Sequence, residues 1–337
     1  MGSPSLFLDG TTVLLLGGSR FFGRTILSGL LASGARVVRL TRGLRDQDHP
    51  PQHPNLICLH GDRNDAALLA DIRDRYRPRM VVDNILYHPD GARMMETVFA
   101  GACDLLLFTS TVMSYLNATL SGVSLREEQW ERSVHAEGME AVYGDGEIVY
   151  GQNKRQCEDI LSHSKTLPSL ILRLHNVAGE DDFSGKSSLI PRALWQAARA
   201  GRPLYLRGTP DHSYQQVWAG DMGRVVCGLL RRFVEQGRTG LADAYNVALP
   251  PIRLGDYVAL LLAGMATPPE IRWVGEGIDR DNPNILSPYP RNVRLDPARL
   301  VRDLAPAVLT PYADWLPLLM TEAARLEEGG CASRSPV

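Results

Sequence analysis

Tyr150 and Lys154 stand one helical turn apart in the segment YGQNKRQCEDIL, so a helix there carries both side chains on one face. An ammonium beside a phenol favours the phenolate and brings the tyrosine toward working pH, which suits it to proton transfer. A lysine on the same face also reaches the ribose of a cofactor. Such a pair needs a further hydroxyl, and Phe108-Thr109-Ser110-Thr111-Val112-Met113-Ser114-Tyr115 supplies several side by side. That segment continues the apolar run Leu105–Leu107, which reads as a strand, and strand C-termini are where doubly wound sheets place their ligands. Tyr143 has Glu147 four residues on instead of a lysine, so it is set aside as a proton carrier.

The element that organises the rest is Thr11 to Arg42, TTVLLLGGSRFFGRTILSGLLASGARVVRLTR. Val13–Leu16 is a short apolar run of the kind buried on both sheet faces. Gly17, Gly18 and Gly23 break it. Phe22, Ile26, Leu30 and Leu31 then recur at helical spacing, Gly34 marks the helix stop, and Val37–Leu40 resumes a strand. The helix N-terminus of such a βαβ unit offers free N–H groups to a pyrophosphate. The spacing is GxxRxxG, with Arg20 where a dinucleotide fingerprint has its middle glycine.

Further strands are expected at 56–60, 80–84, 105–110 and 170–174, alternating with helices at Ala67–Ile72, 90–100 and from Tyr150 onward. Asn64 is expected to cap the first of these helices. Residues 117–147 are charged and glycine-punctuated and read as a surface insertion. A lid role there would fall to Glu128, Trp130 or His135. The expected class is α/β, a Rossmann-type doubly wound parallel sheet with a smaller C-terminal substrate-binding lobe. The sheet domain spans 1–180, with 217–250 returning to it, the lobe 181–216 and 251–325, and a disordered tail 326–337.

The chain has 337 residues, 36 basic and 38 acidic, for a net charge of −2. No global field recruits nucleic acid or an anionic membrane. The apolar runs are too short to cross a bilayer and no signal peptide opens the chain. The five cysteines lack metal-ligand spacing, so no metal is expected, and a reducing, cytoplasmic setting is.

These motifs together resemble the extended short-chain dehydrogenase/reductase superfamily, the NAD-dependent epimerase/dehydratase group, from about Thr12 to Leu304. GGSRFFG is similar to its GGxGFxG loop, and closer still to the GGTRFxG form of an atypical subgroup that includes the chloroplast stem-loop-binding proteins. FTSTVMSY resembles the hydroxyl segment, YGQNKRQCEDIL the YxxxKxxxE helix and LRLHNVAG the LRYFNxxG stretch. Trp218–Asp221 and Arg294–Arg299 stand at the V-x-D and D-x-x-K places. The resemblance implies a catalytic set of Thr111, Tyr150 and Lys154, with Tyr115 facing substrate. It implies cofactor contacts from Gly17, Ser19, Arg20, Phe21, Phe22, Gly23, Arg42, Asp62, Arg63, Asn84, Thr109, Tyr150, Lys154 and His175. Substrate contacts fall to Tyr87, Val112, Met113, Asn176 and Tyr214. A homodimer through helices 90–100 and 150–163 is the family's usual mode. His175 is not expected to act as a catalyst.

At the end of the second strand the chain has Arg39-Leu40-Thr41-Arg42 and no carboxylate before Asp46. Arg42, with Arg20, suits a 2′-phosphate, so NADP(H) is favoured with NAD(H) as the alternative. Asn176 matches a nucleotide-diphosphate contact of the sugar-nucleotide members. Tyr214 replaces their arginine before V-x-D, and only Arg291 stands near the other. Val112-Met113 replaces the Asp-Glu of the 4,6-dehydratases. The expected activity is an NAD(P)H-dependent ketoreductase or alcohol dehydrogenase acting on a small non-nucleotide carbonyl or alcohol. A nucleotide-sugar 4-epimerase is the alternative enzyme, and a non-catalytic nicotinamide- or RNA-binding scaffold the alternative of another class.

Overall fold

The structure, a computed structural model, describes residues 6–44, 52–133, 135–275, 285–287 and 293–328. Asp46, Arg291, Cys331 and the end of the expected tail lie outside these residues. The described chain reaches Glu328 within a helix, so residues 326–328, expected in the tail, are helical.

Seven parallel strands form the central sheet. They are β1 (Thr12–Leu16), β2 (Arg36–Thr41), β3 (Leu56–His60), β4 (Met80–Asp83), β5 (Leu105–Thr111), β6 (Ser169–Leu174) and β7 (Ala244–Val247). Their order is β7-β6-β5-β4-β1-β2-β3. β4, β5, β6 and β7 are buried along their whole length. This explains why they read as continuous apolar runs, not as alternating ones. The chain runs outward in both directions from β1, so the crevice between the ends of β1 and β4 is the topological switch point.

The helices are α1 (Phe22–Ala32), α2 (Ala66–Tyr76), α3 (Pro89–Phe99), α4 (Asp145–His163), α5 (Leu189–Arg199), α6 (Met222–Gln236), α7 (Leu254–Leu262), α8 (Ala298–Leu304) and α9 (Tyr312–Glu328). α2 is capped by Asp65, not Asn64: the Asp65 carboxylate accepts the N–H of Ala67 and of Leu68, each at 3.0 Å. A single Asp65 oxygen accepts both donors, while the Asn64 amide oxygen accepts instead from Arg63 at 3.2 Å. α4 begins at Asp145, not at Tyr150, so the tyrosine lies in its second turn.

Residues 117–147 are not a solvated insertion. Leu125, Trp130, Met139 and Tyr143 are buried with Val112, Met113, Tyr115, Leu116, Val293 and Leu295 in a core of their own. Ser124-Leu125 pairs in parallel with Arg294-Leu295. The charged residues between these anchors hide the pattern, because the apolar ones follow no single period.

A second layer of structure continues the main core. Strands 204–207, 271–274 and 285–286 form a small sheet, and α5 and α7 pack on α9 around Trp315, Tyr257 and Tyr312. α8, within the stretch expected for the lobe, packs instead against β7 and α6.

α1 and α6 cross at glycines. A Cβ on Gly223 would meet the Thr25 carbonyl oxygen at 2.4 Å, and one on Gly29 the Gly223 oxygen at 3.1 Å. Backbone that close cannot shift for a methyl group. Gly223→Ala is therefore expected to cost about 1–3 kcal/mol of stability, as overpacked core sites do. Gly264→Ala, with open space around it, should stay within about 0.5 kcal/mol. Urea unfolding of the two variants checks this. Equal midpoints would show that the helices separate freely.

Candidate active site

The glycine turn opens the site. Gly17 and Gly18 take φ of +99° and +91°, and a Cβ on Gly23 would meet the Gly18 backbone at 3.0 Å. The first two therefore set the turn, while the third lets α1 press against it. Phe21 also has a positive φ, 50°, a conformation costing about 1–3 kcal/mol in a residue with a side chain. Helix α1 has no side-chain cap and no acidic residue in its first turn. Its N-terminus thus keeps donors and positive potential facing the crevice.

Asn84 closes the other side of the switch point. Its N–H donates to the Leu16 carbonyl at 3.2 Å. Its side chain is 7% exposed, and neither amide atom has a hydrogen-bond partner among the described residues. An amide with both a donor and an acceptor to spare matches a hydroxyl group, as on a ribose. Nearby, the buried Arg63 guanidinium pairs with Asp83 at 2.5 Å. Arg63 is thus largely committed to the fold, although it also borders the cavity.

The hydroxyl segment sorts itself by its bonds. Thr109 donates to the Asp83 carbonyl at 3.4 Å, Ser110 to the buried Glu158 carboxylate, and Ser114 to the Thr111 carbonyl at 2.9 Å. The Thr111 hydroxyl accepts the Met113 N–H at 3.3 Å, which leaves its own proton to give. Tyr115 does not face substrate. It is fully buried, donates to the Asn246 side-chain oxygen at 2.7 Å and accepts from Arg173 at 3.3 Å. Arg173 also pairs with Glu158 at 2.8 Å. This buried network fastens the segment to β6, β7 and α4.

α4 lies against that segment because Gly151 permits it: a Cβ there would meet the Met113 carbonyl oxygen at 2.6 Å. Lys154 is 2% exposed. Its Nζ donates to the carbonyls of Leu86 at 2.9 Å and Thr109 at 2.6 Å, and lies 4.3 Å from the Phe108 ring centre and 6.0 Å from that of Tyr150. An ammonium has three protons, so one remains beyond these two carbonyls. Burial lowers Lys154 from 10.5 to about 8. Tyr150 is 36% exposed at the mouth.

Apart from Tyr115, every residue named above for catalysis, cofactor or substrate contact lines one cavity of about 1020 Å³. Thr111, Tyr150 and Lys154 share it with the Gly17–Gly23 turn, Arg42, Asp62 and Arg63, as well as with Tyr87, Val112, Met113, Asn176 and Tyr214. Two expectations change in detail. His175 borders the cavity, but its Nδ1 accepts the Asn176 N–H at 2.8 Å and its Nε2 donates to the Val293 carbonyl at 3.0 Å. Burial lowers it to about 4, so it is neutral and structural. The Arg20 guanidinium lies over the Phe183 ring at 3.9 Å.

Glu128, Trp130 and His135 do not line the cavity. Glu128 pairs with Arg299, and Trp130 is buried under Arg155, whose guanidinium also donates to the Trp130 carbonyl at 2.7 Å. The lining residues that sequence reasoning missed include Glu147, Asn153, Asp182, Phe183 and Lys186. Asn153 was within reach, one position before the lysine. The others are brought together by contacts such as Lys186–Glu147, 3.6 Å, which no local spacing announces. Among the described residues no cluster of side chains could hold a metal ion, and no helix is long and apolar enough to cross a membrane.

No protein-family model and no curated protein matches the sequence. Solved structures match by fold. WbmH of Bordetella bronchiseptica, in complex with NAD+, is similar at 20% identity and a TM-score of 0.64, covering 95% of this chain and 100% of its own. WbmG of the same organism, with NAD and UDP, is similar at 18% identity and 0.66, covering 94% of each chain. A UDP-glucose 4-epimerase is similar at 16% identity and 0.66, covering 96% and 100%. The chain shares with these structures a Rossmann-like α/β fold built on a parallel central sheet.

Within this fold Lys154 carries a signature that needs no ligand to read. Between about 8 and its ordinary value of 10.5, the unfolded chain holds a proton that the folded chain has released. Folding stability therefore rises as pH climbs through that window, and Lys154→Met removes this part of the slope. Urea midpoints of both proteins at pH 7 and pH 10 test it. The gap in favour of the variant should be largest at pH 7. A gap independent of pH would contradict a buried, depressed lysine.

Proposed function

We propose that the cavity is the active site of a nicotinamide-dependent ketone reductase or alcohol dehydrogenase acting on a small non-nucleotide molecule. The observation that carries this reading is that the glycine turn and the Thr111, Tyr150 and Lys154 side chains open onto the same cavity. The cradle fits a dinucleotide on its own evidence: two glycines with positive φ, an uncapped helix N-terminus and the unpartnered Asn84 amide. When bound there, the nicotinamide supplies or accepts the hydride.

The chain's own residues do the rest. Thr111 gives its free proton as a hydrogen bond to the carbonyl oxygen and orients it. Tyr150 delivers the proton to that oxygen in reduction and removes it in oxidation. Below about pH 8 the charged Lys154 favours phenolate at Tyr150, and its third N–H holds a ribose hydroxyl. The two backbone carbonyls fix its Nζ, so the proton carrier is tuned by a group that does not wander. Tyr150→Phe is expected to lower kcat at least about 100-fold with cofactor affinity little changed. The assay is NADPH absorbance over a panel of ketones and sugar nucleotides. Wild-type rates in the variant would sink the assignment, and no turnover of any carbonyl by the wild type would favour the scaffold reading.

NADP(H) is the proposed cofactor, although the solved relatives named above that carry a nicotinamide are NAD complexes. The reason is local. Arg39 is turned inward, donating toward the Cys58 sulfur at 3.4 Å, while exposed Arg42 lines the cavity with no carboxylate at the described end of β2. Arg20 is occupied with Phe183, so Arg42 carries the preference. A charge-assisted bond to a phosphate contributes about 1.5–3 kcal/mol. Arg42→Ala should therefore weaken NADP(H) by about tenfold or more and leave NAD(H) within about twofold, as read by nucleotide fluorescence. Tighter NAD(H) binding by the wild type would overturn the preference.

A nucleotide-sugar 4-epimerase is the second reading, favoured by the likeness in fold to a UDP-glucose 4-epimerase and to WbmG, which holds NAD and UDP. It predicts interconversion of a UDP-sugar with no net change in NAD(P)H, which chromatography of the sugar nucleotides after incubation detects.

A further inference from the structure

We infer that residues 180–187 form a strap across the cavity that closes over the dinucleotide, and that the cofactor enters and leaves only when this strap lifts from Arg20. This rests on the nicotinamide site proposed above and names how exchange at that site is regulated.

The strap is fastened on two sides. At the glycine turn, Asp181 pairs with Arg24 at 2.6 Å, and the Phe183 ring centre lies 3.9 Å from the Arg20 guanidinium. The same ring meets Phe21 edge-on, with ring centres 6.3 Å apart. Lys186 reaches the other side, pairing at 3.6 Å with Glu147 in the first turn of α4, just ahead of Tyr150. Between these fastenings Asp182, Phe183, Ser184 and Lys186 all line the cavity. A segment tied both to the turn and to the catalytic helix lies across the path of a dinucleotide that runs from one to the other.

Its build suits movement as a unit. The Asp182 carboxylate accepts the Ser184 and Ser187 N–H at 2.9 and 2.8 Å and their hydroxyls at 2.6 and 2.8 Å. The Ser187 hydroxyl also lies 3.3 Å from the Gly179 carbonyl, which joins the two ends of the segment. A compact loop of this kind keeps its shape through its own side chains and pivots about its joined ends. Those ends are pinned, because Gly179 packs so closely that a Cβ there would meet the Ala219 Cβ at 2.6 Å. The fastenings, by contrast, are weak. Phe183 is 59% exposed, and both ion pairs stand in solvent. Each exposed contact of this sort favours closure by only about twofold to fivefold. Three together keep the strap mostly closed yet let it open in about microseconds to milliseconds, as gating loops do. A phosphate at the edge of Arg20 would hold that side chain under Phe183, so an occupied turn favours closure.

The test is stopped-flow fluorescence of NADPH binding and of its displacement by excess NADP. Phe183→Ala should speed release at least about tenfold and association at least about threefold, because a gate slows both directions. Asp181→Asn removes the ion pair but keeps a residue that tolerates the φ of 59° found there. It should speed both steps by about twofold to fivefold. Phe183→Tyr, which retains the ring over Arg20, should return both rates to within about twofold of wild type. Hydrogen exchange supplies a second readout: saturating NADPH should slow the amides of 180–187 in the wild type and not in Phe183→Ala. Faster release with unchanged association would make Phe183 a plain contact and overturn the gate. Wild-type rates in both Phe183→Ala and Asp181→Asn would overturn it too, and either result leaves the nicotinamide site intact. A wild type that binds neither NADPH nor NADH removes that site itself, and the strap's role with it.

Discussion

The burial of one ammonium group constrains the rest of the site. Lys154 sits almost wholly out of water, and among the described residues no carboxylate pairs with its Nζ; two backbone carbonyls and an aromatic face take that place. Isolated charge in such a setting is expensive, and the drop of its pKa to about 8 records the cost. A lysine that keeps its charge only in part of the physiological range is poor for stability but well placed to bias a neighbouring phenol. The surrounding fold must therefore hold it there by force of packing.

That holding is done by features that otherwise look unrelated. Gly151 lets α4 approach the Met113 carbonyl, where any side chain would push the helix outward. One turn beyond the lysine, Glu158 takes both the Ser110 hydroxyl and the Arg173 guanidinium, so a buried ion pair clamps α4 to β5 and β6. Breaking one partner of such a pair typically costs about 3–5 kcal/mol. The same pair sorts the serine and threonine hydroxyls: Ser110 is consumed by it, and Thr111 keeps its proton. Which hydroxyl keeps a proton toward the cavity is thus decided by an ion pair whose two residues do not line it.

Local chemistry was legible in the sequence where spacing alone fixes geometry. Period-one apolar runs gave the buried strands, and glycines gave the turn and the stop after α1. The i, i+4 step put Tyr150 and Lys154 on one face, and the structure places the side chains assigned to catalysis and cofactor on one cavity. What escaped was set by distant partners. Asp65 displaced Asn64 as the cap by offering one carboxylate to two donors. Tyr115 was turned inward by Asn246, far along the chain, and the 117–147 segment was drawn into a core by Val293 and Leu295. Phe21 carries a positive φ without being glycine, a cost that no residue pattern displays.

The cavity is electrostatically lopsided, and this gives a direction to whatever occupies it. At the glycine turn the uncapped α1 N-terminus, Arg20 and Arg42 concentrate positive potential, and no acidic residue of the first turn offsets it. Elsewhere on the lining, Glu147 pairs with Lys186 and Asp182 is absorbed by its own loop. A polyphosphorylated ligand is therefore drawn by its phosphates to the turn, which leaves its other end beside Lys154. Arg20 complicates this picture usefully. Its guanidinium stacks on Phe183, and Arg24 pairs with the adjacent Asp181 at 2.6 Å, so the loop 180–187 rests on the very element that would hold the phosphates. Guanidinium planes tolerate an aromatic face and an anion at their edge together. Phosphate at that edge would strengthen the stack without dismantling it, coupling the loop to the occupied turn.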